Sequence, residues 1–141
     1  MPKPANNTAI IRKAALAYFK DKKVLMARDN KNDLAFFNPG GKIEEGETDL
    51  ECVKREVKEE LDVDLDMGTV KFLGEFEAAA HGKPNTRVNI RLFTGELKGL
   101  PQPHDEVVEL QYFDSTVDHK YLTPISIEKI FPWFKDNGYI N

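Results

Sequence analysis

Residues 41–63 read GKIEEGETDLECVKREVKEELDV, and this stretch leaves the backbone few choices. Thr48 followed by Glu51 has the pattern of a capping box, so a helix is expected to begin there, with Asp49 well placed near its positive end. Leu50, Val53, Val57 and Leu61 recur at spacings of three and four, which marks one apolar stripe that must face a core. At about 100° per residue, Glu56, Glu59 and Glu60 fall within an arc of roughly 100° beside that stripe. Glu51, Lys54 and Lys58 fall on the far side, toward water. The chain must therefore supply a surface for an amphipathic helix with an acidic flank.

That flank carries its own tension. Glu56 with Glu60, and Glu56 with Glu59, are like-charge neighbours, each pair costing an isolated helix roughly 0.2–0.5 kcal/mol. A hard divalent cation with oxygen ligands would offset the repulsion, and magnesium commonly takes one or two carboxylates and completes its shell with water and phosphate oxygens. Three glutamates alone are more often a solvated acidic face. The upstream Pro39-Gly40-Gly41 turn and Glu47 favour the functional reading, because adjacent glycines let the backbone approach an ion or phosphate closely.

Around this helix the pattern is mostly strand. Residues 8–20 read as one strand, Asp21-Lys22-Lys23 as a hairpin turn, and residues 24–28 as a second strand. A polar loop at 29–33 and a short apolar strand at 34–37 lead to the glycine turn. Residues 70–79 and 86–97 read as two long strands joined by turn chemistry at 81–85, and 107–113 as another after the proline-containing loop 100–104. Residues 124–135 form a second expected helix with Ile125, Ile127, Ile130 and Phe134 apolar, against which Pro132 counts. This pattern implies an α+β or mixed α/β fold.

The 41–63 stretch resembles the signature of the Nudix hydrolases, Gly-x5-Glu-x7-Arg-Glu-U-x-Glu-Glu-x-Gly-U, where U is a bulky aliphatic residue. The matching positions are Gly41, Glu47, Arg55, Glu56, Val57, Glu59, Glu60 and Val63. Asp62 stands where the signature has glycine. That glycine would sit just past the helix end in the left-handed conformation, which Asp visits at modest cost, so the departure touches a cap and no charge of the site. The resemblance implies a Nudix α/β/α sandwich, a mixed sheet between helices, with residues 1–141 as a single domain. It also implies hydrolysis of a nucleoside diphosphate linked to another moiety, with magnesium or manganese and an attacking water. Carried over by position, Glu56, Glu59 and Glu60 would coordinate metal and activate water, and the Gly40 carbonyl would be a further ligand. Glu47 and Arg55 would orient the turn and the other glutamates. Family members often recruit one more acid from a loop before a late strand; Glu106 is the choice here, with Asp105 second, against an ordinary hydrophilic loop.

Substrate contacts are less defined. Arg28, Arg87 and Arg91 could pair with phosphates or be plain surface charges. Phe36, Phe37, Phe76 and Tyr18 could stack on a base or pack in the core. Gly41 would lie against the substrate, and Asn38 could read a base edge or initiate the turn. The purine-reading asparagine of MutT-type relatives is replaced by Ser126 on a rough alignment, which argues against oxidised guanine nucleotides. Cys52 reads as a small packed residue, and His81 and His119 as surface residues.

A chain of 141 residues with 40% hydrophobic and 31% charged content can bury a substantial core. No apolar run approaches a membrane span, the first residues lack a signal-peptide pattern, and one cysteine suits a reducing compartment, so a cytoplasmic protein is expected. A net charge of −4 advertises no nucleic-acid surface and counts against an RNA 5′-end pyrophosphohydrolase. The expected partner is a small nucleotide, bound by a monomer or homodimer. A nucleotide-sensing domain that binds without hydrolysis is the alternative from another class, disfavoured by the intact set of glutamates.

Overall fold

The computed structural model describes residues 8–31 and 33–141. Asn32, within the expected polar loop, lies outside the described residues. The elements run β1 (Ala9–Ala17), β2 (Phe19–Lys20), β3 (Lys23–Asp29), β4 (Gly40–Lys42), α1 (Asp49–Leu61), β5 (Leu65–Ala79), β6 (Thr86–Leu97) and β7 (Val107–Phe113). A 3-10 turn (His119–Tyr121), a π turn (Ser126–Ile130) and α2 (Phe131–Asp136) follow.

Two sheets form. One has the order β4-β1-β6-β5 and the other β2-β3-β7. β1 runs parallel to β6, while its other neighbour β4 and the β5–β6 pair are antiparallel, so the larger sheet is mixed. Strand alternation sorts the side chains into two cores. Ala14, Leu16, Leu25 and Phe93 meet Cys52, Val53, Val57 and Leu61 of α1. Their neighbours Ala15, Ala17, Val24, Met26 and Leu92 meet Ile130, Phe131 and Phe134 on the other side. The result is the expected sandwich, with sheet between helices.

Several boundaries move, each for a physical reason. The strand expected over 8–20 breaks at Tyr18, because β1 belongs to one sheet and β2 to the other. The hairpin is tighter than expected: Lys20 pairs with Lys23, and Asp21 and Lys22 alone turn the chain at φ 54 and 61. Two positive φ values match the right-handed twist of the flanking strands. Residues 34–37 form no strand, because their backbone bonds divide between Ala27 and Tyr121. Only isolated bridges remain, Ala27 to Phe37 and Phe36 to Leu122.

Gly40 and Gly41 do not turn the chain; they pair with Ala15 and Ala14 as an edge strand. A β-carbon on Gly40 would lie 2.5 Å from the Ala15 Cα, closer than side-chain carbons approach backbone. β5 begins five residues earlier than the expected 70–79 strand, at Leu65, since Leu65 and Asp66 already pair with Leu97 and Glu96. Bulges between Asp66 and Lys71 and between Phe72 and Gly74 hide this start from any alternation. Leu50 is 38% exposed and does not join the α1 stripe, whose fourth buried member is Cys52. The first turn of α1 stands at the sheet margin, where Arg91 of β6 holds Asp49 at 2.6 Å.

The second helix forms over its expected span, with Pro132 accommodated. Phe131 N–H bonds to the Ser126 carbonyl, five residues back. The widened π turn relieves the clash between a proline ring and the carbonyl four residues before it. Among the described residues, no helix is long and apolar enough to cross a membrane.

Candidate active site

Both ends of α1 are fixed by the sequence that flanks it. Thr48 Oγ1 accepts from the Glu51 N–H at 3.1 Å, and Glu51 accepts from the Thr48 N–H at 2.8 Å, closing the capping box. At the other end Asp62 adopts φ 53 and ψ 39, the left-handed cap, and its N–H returns to the Lys58 carbonyl. The loop after β6 supplies further partners. Gln102 N–H bonds to the Leu61 carbonyl, His104 N–H to that of Glu60, and the His104 ring lies 2.8 Å from that of Glu59. Placing asparagine, alanine and glycine at the cap tests its strain: Asp62→Ala is expected to lose about 1 kcal/mol in urea unfolding, with Asp62→Gly and Asp62→Asn near wild type.

Arg55 lies at the centre of the acidic flank. Its Nε and Nη2 grip Glu47 at 2.8 and 3.0 Å, and its Nη1 reaches Glu56 at 2.7 Å and Glu59 at 3.0 Å. Nη2 also donates to the Lys42 carbonyl at 3.3 Å, tying α1 to β4. The guanidinium fork matches carboxylate geometry, so one cation orients three acids. It holds the Glu47 carboxyl down to about 2, with help from the Glu44 N–H, and the acids hold Arg55 above its ordinary range.

Glu60 turns the opposite way, into the protein. Its Oε1 accepts from the Gly40 N–H at 2.9 Å. Burial pushes its carboxyl up to about 9, and the adjacent Glu56 charge adds to the effect. On the same strand, a β-carbon at Gly41 would lie 2.6 Å from the Glu56 carboxyl carbon, so glycine keeps that space for the carboxylate. Two carboxylates crowded in one buried corner suit a hard divalent cation, whose charge would offset both the burial and the mutual repulsion.

Glu56 and Glu60 open into a cavity of about 830 Å³. It wraps around the β4 edge, with Ile11, Lys13 and Ala15 from β1, Val88 and Ile90 from β6, and Ile125 and Ser126 from the helical run beyond. Gly40, Gly41, Asn38 and Glu106 also line it. Glu106 is exposed and sits on the loop that caps α1. Asn38 is 6% exposed and donates to the Leu16 carbonyl at 3.5 Å, and Ser126 accepts from Thr123 Oγ1 at 3.3 Å.

Other expected residues lie elsewhere. Glu47, Arg55 and Glu59 are beside the cavity but do not line it; Glu59 is turned onto Arg55. Among the described residues no three acidic, histidine or cysteine side chains stand close enough together to hold a metal ion. Arg28 pairs with Glu109 across β3 and β7, and Arg87 with Glu77. Arg91 pairs with Asp49 and Glu75 and lies over the Phe72 ring at 4.5 Å. Phe36 is core, packed on Phe113 and Tyr121, whereas Phe37 lines the cavity. Cys52 is fully buried, its thiol pushed up to about 11 chiefly by burial. His81 is exposed, as expected, and lies at the cavity rim 2.8 Å from Asp33, a contact across 48 positions that no local pattern announces.

The family model for the NUDIX domain matches residues 11–134. The chain belongs to the Nudix family. Solved structures agree on the Nudix fold. The E. coli ORF135 protein, in solution, is 21% identical, with 97% of each chain covered and a TM-score of 0.70. A MutT NUDIX hydrolase from Burkholderia pseudomallei is 18% identical over 84% of this chain and 94% of that one, also at 0.70. An Ap4A hydrolase from C. elegans is 16% identical over 90% and 96%, at 0.68. A search of curated proteins found no match. Within the Nudix signature, the structure places Gly41, Glu47, Arg55, Glu56, Glu59 and Glu60 on a single β4–α1 unit.

Proposed function

We propose that this Nudix protein is a magnesium- or manganese-dependent pyrophosphohydrolase of a small nucleoside di- or triphosphate or nucleoside diphosphate derivative. The crowded Glu56–Glu60 pair, facing a cavity at the β4 edge, is the observation that carries this reading. The hydrolase and Ap4A hydrolase names of the structural neighbours point the same way.

Glu56, Glu60 and the Gly40 carbonyl would hold the cation, with Glu59 and Glu106 as further carboxylates. When bound, the metal supplies charge neutralisation at the phosphates and acidifies water. The chain's own groups do the rest. Burial and the adjacent Glu56 charge favour the protonated form of Glu60, a bound cation would favour its carboxylate, and that carboxylate would be placed to accept a proton from water. Arg55 keeps Glu56 and Glu59 aimed from behind, acting as a positioning residue. The walls at Ile11, Val88 and Ile90 exclude bulk water from one side of the substrate.

Product analysis across nucleoside triphosphates, ADP-ribose, NADH, diadenosine polyphosphates and nucleotide sugars tests the reading, with magnesium or manganese and then with chelator. Metal-dependent release of a nucleoside monophosphate supports it. Folded protein that turns over nothing in the panel sinks it. Arg55→Lys is expected to lower activity about 10- to 100-fold and weaken metal affinity while the fold persists, because lysine cannot span Glu47 and Glu56 at once. Equal activity in that variant would show the acids need no positioning.

A further inference from the structure

Four lysines line the same cavity: Lys13, Lys31, Lys42 and Lys83. Two of them are placed by strand register. Lys13 of β1 lies directly opposite Lys42 of β4, a like-charge cross-strand pair of the kind that destabilises a sheet. Lys13 has Ile90 of β6 on its other side, so its stem is walled by apolar surface. Burial lowers the Lys13 pKa, and the charge of Lys83 from the β5–β6 turn lowers it further, while Glu60 and Glu56 act in the opposite sense.

Arg28, Arg55, Arg87 and Arg91 each hold a carboxylate. Among the described residues Lys58 also holds a carboxylate, Asp64 at 3.9 Å, but it lies outside the cavity. By contrast, among the described residues no carboxylate stands within ion-pair distance of the four cavity lysines. Glu44, Glu45 and Glu106 also line the cavity and pair with none of these lysines, and two further acids bond to other donors. Asp29 accepts from the Lys31 N–H, and Asp33 from the Ala35 N–H and the His81 ring. A half-buried lysine facing another lysine, beside two carboxylates yet bonded to neither, is an arrangement that folding alone would not favour.

We infer that Lys13 and Lys42, joined by Lys31 and Lys83 at the mouth, form a phosphate-binding subsite beside Glu56 and Glu60 that selects substrates with a chain of three or more phosphates. The inference deepens the hydrolase reading and rests on it for the position of the cleaved diphosphate. A cation held by the carboxylates would keep that diphosphate beside them. The lysines, held by no carboxylate, are left to receive the next phosphates along the chain. A compound with only two phosphates, such as a diphosphate-linked sugar, leaves them unused. Ammonium groups suit this task as mobile point charges with three donors each. Both a nucleoside triphosphate and a dinucleoside polyphosphate carry the required chain.

The test begins with binding, so that it does not depend on turnover. Calorimetric titration of the 141-residue chain with inorganic tripolyphosphate and with pyrophosphate, both in chelator, would compare wild type with Lys13→Met, Lys83→Met and Lys54→Met. Lys54 is exposed on the far side of α1 and serves as the control. Tripolyphosphate is expected to bind more tightly than pyrophosphate, and Lys13→Met and Lys83→Met to weaken it by about tenfold each, the loss of one charge-assisted contact. Lys54→Met should match wild type. Equal binding in all four proteins, or equal loss in all three variants, overturns the subsite. Lys83→Met, in an exposed turn, keeps the test decisive should Lys13→Met misfold.

Turnover supplies the second arm. Lys13→Met should lower kcat/KM for triphosphate-chain substrates about tenfold more than for ADP-ribose. A uniform loss overturns the selectivity. Comparing a nucleoside triphosphate with a dinucleoside tetraphosphate shows which source the cavity prefers, and lysine dependence with either supports the subsite. Lysine-dependent tripolyphosphate binding without any hydrolysis would remove the hydrolase reading and leave the subsite standing. Hydrolysis indifferent to the lysines would do the reverse.

Discussion

Glu60→Gln is expected to lower hydrolysis by about a thousandfold, the scale on which a positioned proton acceptor contributes. It should do so without loss of folding. The glutamine carbonyl can still accept the Gly40 N–H that Glu60 Oε1 accepts at 2.9 Å. A second effect separates catalysis from structure. In the metal-free protein the Glu60 carboxyl is raised from 4.5 to about 9, first by burial and then by Glu56. The folded state therefore holds a proton that the unfolded chain has already released. The stability this represents is complete below pH 4.5 and falls as pH rises toward about 9. Glutamine removes the titration, so at pH 8 without metal Glu60→Gln should melt above wild type. Added magnesium should raise the melting temperature of wild type and leave the variant nearly unmoved. A variant that melts lower than wild type in chelator, or that responds to magnesium equally, would show that Glu60 is not the buried member of a cation site.

Phe134→Ala carries the largest expected stability effect. Phe134 is fully buried and sits among Phe19, Phe131 and Trp133, with ring centroids at 5.0, 5.8 and 6.1 Å. Truncation leaves a cavity that two sheets and a short helix cannot close, at a cost of about 3–5 kcal/mol. Equilibrium denaturation would measure it. Phe134 belongs to the core on the α2 side, whereas Val53, Val57 and Leu61 anchor α1 on the other. The folded fraction of the variant should therefore keep its magnesium response. A loss under about 1 kcal/mol would mean that the α2 side is held by its exterior contacts instead.

The helix carrying the glutamates was the most legible part of the chain. Its caps, stripe and acidic flank depend on contacts within a few residues, and Thr48, Glu51 and Asp62 behave as their local chemistry dictates. Strand existence was legible for the same reason, through alternation. Features that depend on distant partners were not. Gly40 and Gly41 read as a turn because glycine is common in turns, yet their place is decided by Ala14 and Ala15 of β1, far back in the sequence. The start of β5 was hidden by bulges, and the strand expected at 34–37 dissolved because its hydrogen bonds divide between two segments. In the candidate site, the spacing of the acids identified α1 but could not tell that Glu59 turns toward Arg55 while Glu60 turns inward. The expected arginines proved to be engaged with Glu109, Glu77, Asp49 and Glu75. Lys13 was the visible clue passed over: a lone lysine on the inward face of a strand otherwise built from Ile11, Ala15 and Ala17.

The three-residue length of β4 has a wider consequence. A longer strand there would wall the α1 layer off from the α2 layer, and each would be a closed core. Because the sheet stops at Lys42, acids rooted in one layer and walls rooted in the other share a single opening. Under the proposed function, reaction chemistry and ligand choice would thus fall to different halves of the protein. Changes at Val88, Ile125 or Ser126 can reshape what enters without disturbing Arg55 and its carboxylates. A truncated edge strand is what allows this scaffold to be retuned one half at a time.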